Sequence, residues 1–236
     1  YERKFVSALY SPQGSKKIVV LLSHFDVVGL DGFGHLSRYA LDPLKYTEAL
    51  KSENLPDDVK DDLKSGDWLF GRGTADMKCG LAIHIELLRY LYENGEDIGG
   101  SVLLLTVPDE ENASAGMLSA VEYLSYLKSS GYEITAVINS EPSFQEYPGD
   151  ENAYIYTGTC GKLLLTLCFE GVESHAGSPF NGISSSLMSS VTTSLIEANT
   201  ELCETWGSSI APPPVCLKQQ DVKELYAVTT PSLSYA

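Results

Sequence analysis

Three short apolar runs, at residues 17–22, 101–107 and 134–139, alternate with two longer segments whose apolar residues recur every three or four positions. In residues 76–94 that spacing falls on Met77, Leu81, Ile85, Leu88 and Leu91, and Gly95 follows as a stop. In residues 113–128 it falls on Met117, Val121, Leu124 and Leu127. The first pattern is that of buried strands and the second that of amphipathic helices. Strand, helix, strand, helix, strand leaves little topological choice: the crossovers are long enough only for parallel pairing with helices over the faces. The expected fold class is therefore α/β, a mostly parallel sheet covered by helices.

The rest of the chain is less regular. Residues 29–52, rich in Gly, Asp and Tyr, read as loop. A short helix follows, with Pro56 in its first turn, Asp57 and Asp58 at its positive end, and Gly66 as its stop. Past residue 158 the texture changes. Residues 162–170 alternate loosely, as a strand does. Residues 183–198 are rich in Ser and Thr, and form a helix with a thin apolar face of Leu187, Val191, Leu195 and Ile196. Residues 211–216 hold three consecutive prolines, which excludes a helix interior or a central strand. Two domains are expected, residues 1–158 and 159–236.

Ligands of an open parallel sheet bind beyond the carboxyl ends of its strands. The first strand runs into Ser23-His24-Phe25-Asp26, the second into Pro108-Asp109-Glu110-Glu111, and the third into Ser140-Glu141-Pro142; a helix opens at Asp76. Any one of these is an ordinary solvated loop. Together they bring His24, Asp26, Asp76, Glu110, Glu111 and Glu141 to one rim. So many carboxylates repel one another unless a divalent cation sits among them. A histidine nitrogen with carboxylate oxygens is a usual donor set for catalytic zinc. His24 and Asp26, two apart on an extended chain, point the same way, so Asp26 can hold the His24 ring. Of the adjacent Glu110 and Glu111, one can bind metal while the other takes a proton from water.

Composition narrows the partners. The net charge is −16, which argues against nucleic acid or an anionic membrane, and no apolar run reaches membrane-spanning length. The five cysteines are widely spaced with no C-x-x-C pair, so reduced thiols in a cytoplasmic protein are expected. Gly71-Arg72-Gly73 lacks the third glycine of a dinucleotide loop and follows no strand; no Gly-x-Ser-x-Gly elbow or phosphate loop is present. Gly71 and Gly73 read instead as a close approach that seats Asp76.

The motifs Ser23-His24-Phe25-Asp26, Gly71-Arg72-Gly73-Thr74-Ala75-Asp76-Met77-Lys78, Asp109-Glu110-Glu111 and His175-Ala176-Gly177 resemble, in order, the signatures of a two-zinc metallopeptidase family. That family includes acetylornithine deacetylase, succinyl-diaminopimelate desuccinylase, aminoacylase and glutamate carboxypeptidase. A closer likeness, to its RocB-like arginine-utilisation branch, rests on Trp68 to Gly73, Tyr147 to Asn152, Tyr154 to Thr159 and the region from Pro212 to Gln219.

The resemblance implies a zinc-exopeptidase-like catalytic domain followed by part of an α+β lid and dimerisation domain. It implies that His24 and Glu141 bind one zinc, that Glu111 binds a second and that Asp76 bridges them. Glu110 would be the general base and acid, and Asp26 would orient His24. His175, from the lid, would stabilise the oxyanion, often in a partner's site. A cis peptide after Asp76 is implied too. So is hydrolysis of amide bonds in small peptides or N-acyl amino acids, with Zn2+ as cofactor (Co2+ or Mn2+ being compatible) and a homodimer through the lid.

The family's second histidine ligand lies far toward the C-terminus, and neither His35 nor His84 sits in its motif. Both are expected to be structural, with His84 two helical turns up and pointing away from the rim. The chain, which opens on Tyr1, is accordingly expected to be an N-terminal segment that by itself turns over poorly. A two-zinc aminopeptidase and a non-catalytic scaffold relative are the competing readings.

Overall fold

The computed structural model describes residues 3–95, 97–145, 147–158 and 165–203, together with short strand segments in the remainder. It divides into two compact units, Tyr1–Tyr154 and Ile155–Ala236.

The first unit is built on a four-stranded sheet. Strands β1 (Val6–Tyr10), β2 (Lys17–His24), β3 (Ser101–Val107) and β4 (Glu133–Asn139) lie in the order β1-β3-β2-β4. β2 runs parallel to both β3 and β4, whereas β1 is antiparallel to β3. The sheet is therefore mixed, with three parallel strands and one antiparallel edge. β1 escaped the sequence reading because VSALY is a half-exposed edge strand with no apolar run. β3, by contrast, is buried along its whole length, as its unbroken SVLLLTV requires.

Helices α3 (Gly80–Asn94) and α4 (Ala115–Ser129) are the crossovers. Residues Ile18, Val20, Leu103, Leu105 and Val107 pack with Ala120 and Leu127 of α4. Leu21, Val102 and Leu104 pack with Leu91, Leu81 and Leu88 of α3. The helix faces differ slightly from expectation. Val121 is 47% exposed and Ala120 takes the inward place on α4; on α3, Ile85 is 46% exposed while His84 is buried. A helix advances 3.6 residues per turn, so a four-residue step drifts off a line that a three-residue step restores.

Residues 29–52 are not loop. A 3-10 segment spans Asp31–Tyr39, and α1 spans Pro43–Leu50. Asp42 caps α1, its carboxylate accepting from the Lys45 amide at 3.2 Å, and Pro43 opens it. That Asp-Pro start was present in a stretch whose glycines and tyrosines suggested otherwise. Helix α2 (Asp57–Ser65) follows, with Pro56 just outside it and Gly66 in the left-handed conformation at its end.

In the second unit β5 (Cys168–Glu170), β8 (Gln220–Asp221) and β9 (Leu233–Tyr235) form an antiparallel sheet ordered β5-β9-β8, and β6 (Thr205–Trp206) pairs with β7 (Ser209–Ile210). Helix α5 (Ser185–Ile196) buries Ser185 and Ser189 and leaves Leu187, Val191 and Leu195 exposed, so its apolar stripe faces outward. Of the strand expected over residues 162–170, the described residues form β5 at Cys168–Glu170; residues 159–164 and the prolines from Pro212 to Pro214 lie outside the described residues.

Candidate metal centre

Parallel pairing brings the carboxyl ends of three strands level. His24 of β2 stands opposite Val107 of β3, and Leu22 of β2 opposite Asn139 of β4. The next residues of β3 and β4 carry Glu110, Glu111 and Glu141, so one rim collects side chains from distant parts of the sequence.

His24 is 1% exposed. Its amide donates to the Met77 sulfur at 3.1 Å, and Met77 is itself fully buried behind it. Its ring divides two environments. Nδ1 lies 3.2 Å from the Asp26 carbonyl oxygen and 3.4 Å from Asp26 Oδ1. Nε2 faces Asp76 Oδ1 at 3.0 Å, Glu141 Oε1 at 3.4 Å and Glu110 Oε2 at 4.0 Å. With Nδ1–H donating to Asp26, the Nε2 lone pair is left pointing at carboxylates.

Asp76 is held at this place by an irregular turn, Thr74–Cys79, in which Asp76 and Met77 leave helical geometry and are joined by a cis peptide bond. The regular helix begins only at Gly80, later than periodicity suggests. Gly73 precedes the turn with φ of 75°, and a Cβ there would lie 2.5 Å from Val27 Cγ1. Only glycine lets the backbone pass so close to the strand end that carries Asp26.

The loop after β3 is closed by Asp109, a residue to which the sequence reading gave no separate role. It is 8% exposed. Its carbonyl accepts from the Ser114 amide at 2.6 Å, its Oδ2 from the Ala115 amide at 3.2 Å, and its Oδ1 from Arg3 at 3.2 Å. Positive φ at Asp109 and Ser114 folds the intervening residues into a tight turn. A second tie comes from Asp26, whose Oδ1 accepts from the Glu110 amide at 3.2 Å and whose Oδ2 accepts from the Glu111 amide at 3.1 Å. The Asp26 carboxylate thus spans the His24 ring and the loop backbone.

His24, Asp76 and Glu111 each present a donor atom, all within 4.8 Å of one another. Glu110 and Glu141 stand beside Nε2 as further oxygen donors. Burial pushes the Glu111 and Glu141 carboxyls above the usual glutamate range, and the neighbouring Asp76 charge adds to it. Among the described residues, nitrogen and oxygen donors converge here, a donor set that suits a divalent cation.

The remaining histidines stand elsewhere. His35 is exposed and pairs with Glu53 at 2.9 Å. His175 belongs to the second unit, on a loop pinned by the Val172–Ile183 bridge, where its Nδ1 accepts from the Gly177 amide at 3.0 Å. His84 does not point away from the rim: its Nε2 lies 2.7 Å from the hydroxyl of Ser140, the residue before Glu141.

Comparison with known proteins adds ancestry to this geometry. Residues 41–227 match the family model described as peptidase family M20/M25/M40. The chain is 44% identical over 232 residues to "Uncharacterized protein YqjN" of Bacillus subtilis, covering 97% of this chain and 42% of that protein. It is 38% identical to "Protein RocB" of the same organism, covering 98% of this chain and 41% of that protein. To the succinyl-diaminopimelate desuccinylase of Psychromonas ingrahamii it is 36% identical over 112 residues, 48% of this chain and 28% of that one. The chain thus spans about two fifths of the length of the first two relatives.

Proposed function

The chain belongs to peptidase family M20/M25/M40, and from that premise we propose that it carries the cation-binding and proton-transfer residues of a hydrolase acting on amide bonds. The observation that carries the reading is the meeting of His24, Asp76 and Glu111 donors, with Glu141 and Glu110 against the same imidazole nitrogen. His24 and Glu141 would hold one cation, Glu111 a second, and Asp76 both. Zinc is the proposed ion, two per complete site, with Co2+ or Mn2+ acceptable to the same donors. His35 pairs with Glu53 and His84 with Ser140, so the ligands proposed from this chain are His24, Asp76, Glu111 and Glu141.

A bound divalent cation would supply Lewis-acid polarisation of the scissile carbonyl and acidify a nearby water. The chain's own residues do the rest. Asp26 holds the His24 ring with its Nε2 toward the cluster. Glu110, 49% exposed and outside the tight donor triad, takes a proton from the attacking water and returns it to the leaving nitrogen. Oxygen is added to the carbonyl carbon, the C–N bond breaks, and a carboxylate and an amine leave. His175 is proposed to hydrogen-bond the oxygen that gains charge.

The substrate class is proposed to be small peptides or N-acyl amino acids, and the RocB-like motifs favour a setting in amino-acid breakdown, arginine's included. The free Cys79, Cys168 and Cys203 support a reducing, cytoplasmic location; among the described residues no helix is long and apolar enough to cross a membrane. The exposed Leu187, Val191 and Leu195 of α5 support a homodimer through the second unit.

The deciding experiment is a zinc titration of the intact protein followed by hydrolysis of matched free and N-acylated dipeptides. Cation binding with chelator-sensitive cleavage of the N-acylated series is expected. Absence of any divalent binding would remove the hydrolase reading, and cleavage of free dipeptides alone would favour an aminopeptidase.

A further inference from the structure

His84 is a polar residue in an apolar position. On α3 the inward line runs Leu81, His84, Leu88, Leu91, in steps of three, four and three, and His84 is 2% exposed. A histidine buried among leucines loses hydration, and that loss must be offset by a specific bond. One is present: Nε2 to Ser140 Oγ at 2.7 Å. The other ring nitrogen, Nδ1, is buried without a partner among the described residues. A buried N–H without an acceptor costs more than a bare lone pair, so the favoured tautomer carries its proton on Nε2 and donates to Ser140. Burial also pushes the imidazole toward its neutral form, which keeps that donor arrangement.

A second, independent contact falls on the same residue. Gly80 lies four positions before His84, one turn along the same helix face. A Cβ at Gly80 would come within 2.1 Å of the Ser140 carbonyl oxygen and 2.8 Å of the Ser140 Cβ. Backbone and side chain of Ser140 are thus gripped by two successive turns of α3. Glu141, the next residue, places its carboxylate 3.4 Å from His24 Nε2. α3 follows directly from the turn that carries Asp76, so one rigid helix ties Asp76 to the end of β4.

We propose that His84 is a positioning residue, fixing Glu141 in the cation site by anchoring Ser140 to α3. The inference rests on the cation-site reading above and assigns His84 no contact with substrate. Without the anchor, Ser140 and Glu141, which lie past the last paired residue Asn139, lose a tie to α3, and Glu141 would sample positions outside the cluster. Partners that orient metal ligands in this way are worth about 10–100-fold in metal affinity.

The test is a Co2+ titration of the intact protein, read by the visible absorption of the bound ion, for wild type, His84→Gln, His84→Leu, Ser140→Ala and His84→Leu/Ser140→Ala. Leucine fills the space without the bond, and glutamine restores a donor near the Nε2 position. Expected is a 10–100-fold weaker affinity for His84→Leu, near-native affinity for His84→Gln, and a double variant no worse than the weaker single one. Circular dichroism separates these effects from unfolding, and Ser140→Ala carries the test if the leucine variant fails to fold. Wild type that binds Co2+ while both His84→Leu and Ser140→Ala bind it equally well overturns the positioning role alone. Wild type that binds no divalent ion overturns the site reading and this inference with it.

Discussion

The Asp26 carboxylate accepts the Glu111 backbone amide at 3.1 Å while its other oxygen stands 3.4 Å from His24 Nδ1. One side chain therefore sets the angle of a ring and the height of a loop. Asp26→Ala is expected to weaken zinc affinity by about 10–100-fold and to lower kcat as well, because the loop amides at Glu110 and Glu111 lose their acceptor. Unchanged affinity and turnover, followed by titration and steady-state kinetics, would remove the dual role.

Glu110 lies at the margin of the donor triad, so charge removal there should spare the cation. Glu110→Gln is expected to keep zinc stoichiometry and lose about 10²–10⁴-fold in kcat, the usual range for a positioned acid–base group. Undiminished turnover would refute the proton-transfer assignment.

Asp109 serves the fold. Asp109→Ala leaves the Ala115 amide without its acceptor, and places alanine at a φ of 69°. A loss of about 1–3 kcal/mol is expected by denaturant unfolding, with Asp109→Asn losing less because asparagine tolerates that φ. Arg3→Ala, which removes a side chain that is 44% exposed, should cost below about 1 kcal/mol. Equal effects of Asp109→Ala and Arg3→Ala would show that the ion pair, and not the bond to the Ala115 amide, matters.

The raised carboxyls of Glu111 and Glu141 set a pH dependence. In the cation-free protein the native state keeps these protons at a pH where the unfolded chain has released them, so the folded form binds more protons. Their contribution to stability then falls as pH rises from the ordinary value near 4.5 through the raised native values, and stays level above them. Compared with Glu111→Gln/Glu141→Gln, the wild type should lose stability over that interval. Saturating zinc should reverse the trend, since the ion binds the deprotonated donors. Parallel melting profiles for the two proteins without cation would contradict the assignment.

For the second unit, Leu187→Lys/Val191→Lys is expected to convert a dimer to a monomer in light scattering, with its circular dichroism unchanged. A wild type that is monomeric at micromolar concentration would end the homodimer proposal.

The parallel strands and the donors at their ends were legible because both follow from short-range pattern. An apolar run names a strand, and the residues after it name the rim. The cis peptide after Asp76 was expected by resemblance and is present. What was not legible depends on partners far away in sequence. β1 is short and half-exposed, and becomes a strand by pairing with β3. Asp109 looks like one more acid in a run until the fold buries it against Ala115 and Arg3. Helical distance along α3 sets His84 apart from Asp76, but Ser140 arrives beside it from the end of another strand. Its place between Leu81 and Leu88 was the available signal.

The rim also has an order of assembly in time. Residues 24, 76, 111 and 141 meet only when β4 has docked in parallel beside β2, a pairing that closes a loop of more than a hundred residues. A chain emerging from the ribosome can expose three of these donors while the fourth is still inside the exit tunnel. On the proposed cation-site reading, capture at full strength is expected to be a late event, and a slow rise of tight cation binding during refolding would mark the moment the last strand locks.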